Sequence, residues 1–143
     1  YCAPNELLRV FISKISNRYQ YVVMDNEAGM EHLSRRTTND VDVLFIIAEP
    51  SLISIRSAIK VSQTAKQIKL KVKKIFLVLN RTRMDTDLKK LDTDLHGFGF
   101  IGMIPEDNLI KERGEKAGDL LSLPEDSLAV KAVGEIMRKA EII

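Results

Sequence analysis

Three short apolar runs, each followed by a helical pattern, constrain this chain more than any other feature. Val43-Leu44-Phe45-Ile46-Ile47, Ile75-Phe76-Leu77-Val78-Leu79 and Phe98-Gly99-Phe100-Ile101-Gly102-Met103-Ile104 contain no charged residue. A strand with one wet face alternates polar and apolar residues, so unbroken runs point to strands covered on both faces. After the first run, Leu52, Ile55 and Ile59 open a helical stripe reaching about Ile68, with Ser51 as its N-cap behind Glu49-Pro50. Leu88, Leu91 and Leu95 predict a short helix after the second run. Two closing helices are predicted near 108–117 and 125–140. The last places Ala129, Val133, Ile136, Met137 and Ala140 on one face and opens at Pro124-Glu125-Asp126. Upstream, Leu8, Phe11, Ile12 and Ile15 predict an amphipathic helix over 5–17, with Pro4 in its first turn. Tyr21-Val22-Val23-Met24 predicts one more short strand. The alternation implies an α/β fold, a parallel sheet with right-handed crossovers and helices on both faces.

Composition narrows the function classes. The 143 residues suit a single domain over 1–143, with an ordinary globular balance of 45% hydrophobic and 29% charged residues. A net charge of +2 does not by itself argue for nucleic acid. Lys66, Lys69, Lys71, Lys73 and Lys74 have no interleaved aromatics and read as a solvated surface, partly at a helix C-terminus. No apolar run approaches the roughly 18–20 residues that span a membrane. Tyr1-Cys2-Ala3-Pro4 lacks the pattern of a signal peptide, and a single cysteine cannot form an internal disulfide. The expectation is a cytoplasmic protein without nucleic-acid or membrane partners. His32 and His96 lack a ligand partner at i+3 or i+4, and the five methionines are scattered, so both sets read as structural.

Parallel sheets bind ligands beyond the carboxyl ends of their strands. Here those ends read Asp25-Asn26-Glu27-Ala28-Gly29, Glu49-Pro50, Asn80-Arg81 and Pro105-Glu106-Asp107. Asp25 has the oxygen chemistry to hold a magnesium-bound water, and Gly29 lets a backbone N–H approach a phosphate. The plainer alternative makes Asp25 a helix cap and Gly29 a turn residue. Asn80 matches the donor and acceptor edge of a purine, and Arg81 can stack on its plane. Pro105 and Glu106 can present backbone carbonyls to an exocyclic amine, or simply start a helix. No one of these signals decides the matter. Their recurrence on successive strand ends is the argument.

The segments together resemble a known family. Val22-Val23-Met24-Asp25-Asn26-Glu27-Ala28-Gly29-Met30-Glu31-His32-Leu33-Ser34-Arg35-Arg36-Thr37 is similar to the switch II segment of the nickel-insertion accessory ATPases of carbon monoxide dehydrogenase. These sit within the wider class of MinD and ParA ATPases, a deviant P-loop group. Phe76-Leu77-Val78-Leu79-Asn80-Arg81 and Ile101-Gly102-Met103-Ile104-Pro105-Glu106-Asp107 resemble its two adenine-binding segments. The resemblance implies ATP or ADP with magnesium as cofactors. It assigns catalytic roles to Asp25 and Gly29, and adenine binding to Asn80, Arg81, Pro105 and Glu106. It further implies a homodimer, with carbon monoxide dehydrogenase as the partner that receives nickel.

The same resemblance matches Cys2 to the second cysteine of the family's Cys-X-Cys motif, which holds zinc or nickel between two subunits. One cysteine per chain supplies only two thiolates in a dimer, short of a four-thiolate site. A phosphate-binding loop, G-x-x-x-x-G-K-[ST] or its deviant form, does not occur in these residues. The expectation is therefore the C-terminal portion of a P-loop ATPase domain that lacks its loop strand and is inactive alone. The competing expectation is a non-enzymatic α/β binding or interaction module of the same descent. A receiver-type signalling domain fits less well, because no strand ends in an isolated phosphoacceptor Asp with a matching Lys on the final strand.

Overall fold

The computed structural model describes residues 18–26, 40–68, 71–87 and 99–143, with helical positions at 7, 10–12, 14–16 and 91. The three apolar runs become β1 (Asp40–Ala48), β2 (Lys71–Thr82) and β3 (Phe100–Pro105). They form a parallel sheet in the order β1-β2-β3, with Asp40 opposite Lys71, Ala48 opposite Leu79 and Leu79 opposite Met103. Between β1 and β2 runs α1 (Leu52–Gln67); α2 (Asn108–Glu115) and α3 (Leu128–Lys139) follow β3.

Side-chain parity sorts the sheet into two covered faces. Leu44, Ile46 and Ala48 of β1 and Ile75, Leu77 and Leu79 of β2 share one face and pack with Ile55, Ala58 and Ile59 of α1 and with Leu91. Phe45, Phe76, Val78 and Gly102 lie on the other face, where the rings of Phe45 and Phe76 stack with centroids 6.0 Å apart. There Ile136 of α3 presses against Gly102. Leu77, Leu79 and Ile55 are fully buried, and each such side chain contributes roughly 1.5–3 kcal/mol of hydrophobic stabilisation. Helices thus lie on both faces, α1 over β1 and β2 and α3 over β3, while Ile47 on the second face of β1 is 53% exposed among the described residues.

Local chemistry sets the helix ends. Ser51 caps α1 by accepting from the Ser54 N–H at 3.2 Å, while Ser54 Oγ accepts from the Glu49 N–H at 3.0 Å. This reciprocal pair resembles a capping box in which a second serine replaces the acid and takes the Glu49 N–H, the Ser51 N–H being already bonded to the Glu49 carbonyl at 2.7 Å. α2 and α3 both end in Schellman motifs: Gly118 N–H bonds to Arg113 O at 2.7 Å, and Ile142 N–H bonds to Met137 O at 3.0 Å. The left-handed residue in each is not glycine but Ala117 (φ 50) and Glu141 (φ 60).

Three expectations need correction. Tyr21–Met24 does not form a strand: residues 21–26 carry no regular structure, and Val23 is 88% exposed. A strand needs a neighbour for its backbone groups, and among the described residues β1 pairs only with β2. Tyr21 instead donates its hydroxyl to the Ile142 carbonyl at 3.1 Å. The final helix starts at Leu128 rather than near 125, because Ser127 and not Asp126 supplies the cap, with Ser127 Oγ accepting from the Val130 N–H at 3.3 Å. The helix predicted to reach 117 stops at Glu115, where the left-handed turn at Ala117 ends it. Of the helix predicted around Leu88, Leu91 and Leu95, only Leu91 lies within the described residues, helical and buried.

Candidate functional site

The carboxyl edge of the sheet is built around an irregularity in β2. Asn80 is in register with Ile104, and Thr82 with Pro105, so two residues of β2 are spent against one step of β3. The extra residue is Arg81, held at φ 56. Left-handed backbone costs a non-glycine residue of the order of 1 kcal/mol, and bulges of this kind re-aim side chains at sheet rims. Arg81 points into solvent and meets Glu49, at the end of β1, at 3.5 Å. Both side chains are well exposed, so the pair adds little stability and leaves the guanidinium available.

Thr82 locks β2 to the turn after β3. Its carbonyl accepts from the Glu106 N–H at 2.9 Å, and its hydroxyl, in a buried side chain, donates to the Ile104 carbonyl at 3.3 Å. Asn80, Arg81, Pro105 and Glu106 are thereby brought together as one small surface on adjacent strand ends. Asn80 is partly buried and continues the parity of Val78, while Glu106 is exposed.

Asp107 is the residue that sequence reasoning undervalued. It caps α2, its Oδ1 accepting from the Leu109 N–H at 2.9 Å. Its Oδ2 accepts from Ser127 Oγ at 2.6 Å and from the Ala129 N–H at 3.1 Å, joining the start of α3 to the same carboxylate. The Ser127 hydroxyl and then the Ala129 N–H hold the Asp107 carboxyl below its usual range, with the Leu109 and Ile110 N–H groups adding to the effect against some desolvation. An aspartate at a helix start is a visible cap signal. The partner twenty residues later is not visible from spacing.

Asp25 is exposed in the irregular 21–26 segment, and among the described residues no hydrogen bond or ion pair joins it to Asn80, Arg81, Pro105 or Glu106. Gly29, Cys2, His32 and His96 lie outside the described residues. Among those described, no three His, Cys, Asp or Glu side chains gather as a metal site. No described helix is long and apolar enough to cross a membrane.

The lysine-rich stretch sits at the opposite end of the sheet. Lys73 pairs with Asp42 at 2.6 Å, with both side chains about four-fifths exposed, and Lys74 pairs with Glu141. The Lys74 ammonium holds the Glu141 carboxyl below its usual range. An open depression lined by Val41, Asp42, Lys71, Val72 and Lys73 marks this amino edge. It lies a whole strand away from the polar carboxyl edge.

No family model matches the chain. It is 36% identical over 145 residues to the uncharacterized ATP-binding protein MJ0685 of Methanocaldococcus jannaschii, covering 97% of this chain and 55% of that protein. It is 30% identical over 118 residues to the carbon monoxide dehydrogenase accessory protein CooC of Rhodospirillum rubrum, covering 82% of this chain and 44% of that protein. The chain thus spans about half the length of these relatives. Among solved structures, the MinD cell division protein of Aquifex aeolicus superposes with a TM-score of 0.73 at 20% identity, over 96% of this chain and 60% of that one. MinD of Pyrococcus furiosus superposes with the same score and identity, over 96% and 58%. The chain has a MinD-like α/β fold, and its sequence relatives are ATP-binding proteins.

Proposed function

We propose that this chain supplies the base-binding and switch portion of an adenine-nucleotide-dependent ATPase of the nickel-insertion type. The observation that carries the reading is the joining of Asn80 and Arg81 to Pro105 and Glu106 through the Thr82–Glu106 hydrogen bond. Asn80 offers an amide edge to the purine, Arg81 offers a plane and a charge, and the turn after β3 offers carbonyls to the exocyclic amine. Asp25, free of the base-binding cluster and exposed, has the donor type for a magnesium-bound water, and Gly29 would approach the terminal phosphate. Magnesium, when bound, neutralises charge on the phosphates. The similarity to the carbon monoxide dehydrogenase accessory protein CooC supports a metallochaperone that serves that enzyme; the family resemblance further implies a homodimer in the cytoplasm, with Cys2 contributing to a zinc or nickel site. The same similarity supports a single domain over 1–143 that forms part of a larger ATPase unit.

The test is calorimetric titration of this chain with magnesium-ADP and magnesium-IDP, in the original sequence and in Asn80→Ala. A purine-edge contact predicts a preference for ADP and about a 5- to 10-fold loss on removing the Asn80 amide, the worth of one buried hydrogen bond. Equal binding of ADP and IDP, unaffected by Asn80→Ala, would sink the base-binding assignment.

A further inference from the structure

We propose that Asp107 is a positioning residue for base recognition, fixing the Pro105–Glu106 turn against Asn80 by tying it to the N-terminus of α3 through Ser127. The inference rests on the base-binding reading above and adds to it the residue that sets the geometry.

The turn carries two anchors. On its β2 side, the Glu106 N–H reaches the Thr82 carbonyl at 2.9 Å. On its other side the next residue, Asp107, makes three contacts with its two oxygens: the Leu109 N–H at 2.9 Å, Ser127 Oγ at 2.6 Å and the Ala129 N–H at 3.1 Å. A carboxylate that accepts from two helix N-termini is held by charge-assisted bonds, roughly twice as strong as neutral ones. Ser127 is 2% exposed, so its hydroxyl has no water to turn to and its orientation is fixed by Asp107 and the Val130 N–H. Meanwhile α3 is fixed to the sheet, where Ile136 packs on Gly102 two residues before Ile104, the register partner of Asn80. The body of α3 thus reaches the turn along the β3 main chain from Gly102, and the start of α3 reaches it through the Asp107 side chain.

A turn without that side chain keeps its Thr82 anchor but can pivot about it. Recognition of an exocyclic amine by a carbonyl depends on donor–acceptor distances held within a few tenths of an ångström. Pivoting would blur the choice between adenine and hypoxanthine. Asp107→Asn is the sharp probe. Its side-chain oxygen can still cap α2 at the Leu109 N–H, while its amide nitrogen, a donor, would face the Ser127 hydroxyl and the Ala129 N–H.

The experiment is a titration of isotopically labelled full chain followed by amide resonances, with ADP and IDP as ligands, since this readout reaches millimolar affinities. Original sequence, Asp107→Asn, Ser127→Ala and Asn80→Ala are compared well below their unfolding temperatures. The expected result is a fall of at least 3-fold in the ADP-to-IDP affinity ratio for Asp107→Asn and a smaller fall for Ser127→Ala, arising from weaker ADP binding with IDP affinity unchanged. An unchanged ratio in Asp107→Asn and Ser127→Ala, with a reduced ratio in Asn80→Ala, overturns the positioning role and leaves the base site standing. No ADP preference in the original sequence overturns the base site itself, and this proposal with it. Should Asp107→Asn fail to fold, Ser127→Ala removes the same hydrogen bond and decides the matter.

Discussion

Gly102 of β3 and Ile136 of α3 are packed so closely that a Cβ on the glycine would lie 2.8 Å from Ile136 Cγ1 and 3.3 Å from its Cδ1. Gly102 is present because no larger residue fits between the last strand and the last helix. Gly102→Ala is expected to destabilise by about 1–3 kcal/mol through overpacking. In an Ile136→Ala background, where Cγ1 is gone, the same change should cost less, leaving a coupling of about 1 kcal/mol. Urea denaturation of the two single variants and the double variant measures it, and strict additivity would show that the contact does not carry the cost.

Asp107 gives stability a specific acid dependence. Its folded-state carboxyl titrates below its unfolded value because Ser127, Ala129 and Leu109 donate to the ionised form. The contribution is therefore complete above the unfolded value, about 3.9, and is lost as pH falls through the lower folded value. Asp107→Asn should be about 1–2 kcal/mol less stable at pH 7, since one charge-assisted contact set is replaced by a mismatch. That gap should stay constant down to about pH 4 and shrink below it. Chemical denaturation at pH 7, 5 and 3 tests this, and a gap that grows on acidification contradicts it.

Arg81 separates backbone from side chain. At φ 56, glycine is comfortable and alanine is not. Arg81→Gly should be about 1 kcal/mol more stable than Arg81→Ala, although both lose the same guanidinium. Both should weaken ADP binding to a similar degree if the cation contacts the base. A larger affinity loss in Arg81→Ala alone would mean that the bulge, not the charge, carries the effect.

Ala117 occupies the left-handed position of the Schellman motif that closes α2, at φ 50. Nothing else in its surroundings demands alanine, for it is exposed. Ala117→Gly is expected to raise stability by about 0.5–1 kcal/mol, seen as a higher urea midpoint with an unchanged slope.

The sheet was legible because Val43–Ile47, Ile75–Leu79 and the Phe98–Ile104 run have no polar interruption, and a doubly covered strand leaves no other reading. Ser51 announced α1 for an equally local reason. The misses are non-local. Tyr21–Met24 has β-forming residues, but strand formation depends on a neighbouring backbone that its own sequence cannot specify. The end of α2 lacks a glycine at its left-handed residue, Ala117, so its exact stop carried no local signal. Within the site, Asn80, Arg81, Pro105 and Glu106 stood out as strand-end residues. The bulge that turns Arg81 outward and the Asp107–Ser127 bond arise from register and from contact across twenty residues, which no spacing rule encodes.

Among the described residues β2 alone hydrogen-bonds to a strand on both sides, and each of its pairings closes over an intervening stretch of chain that includes, on the β1 side, the whole of α1. Loop-closure entropy must be met before either pairing returns any stabilisation, so the folding transition state should be polarised around the centre of β2. Truncations at Leu77 and Leu79 would then slow folding, while truncations in α2 would chiefly speed unfolding. The residues that hold the candidate base surface together, Thr82 and Asp107, would consolidate last, leaving the carboxyl edge the final part of this sheet to become native.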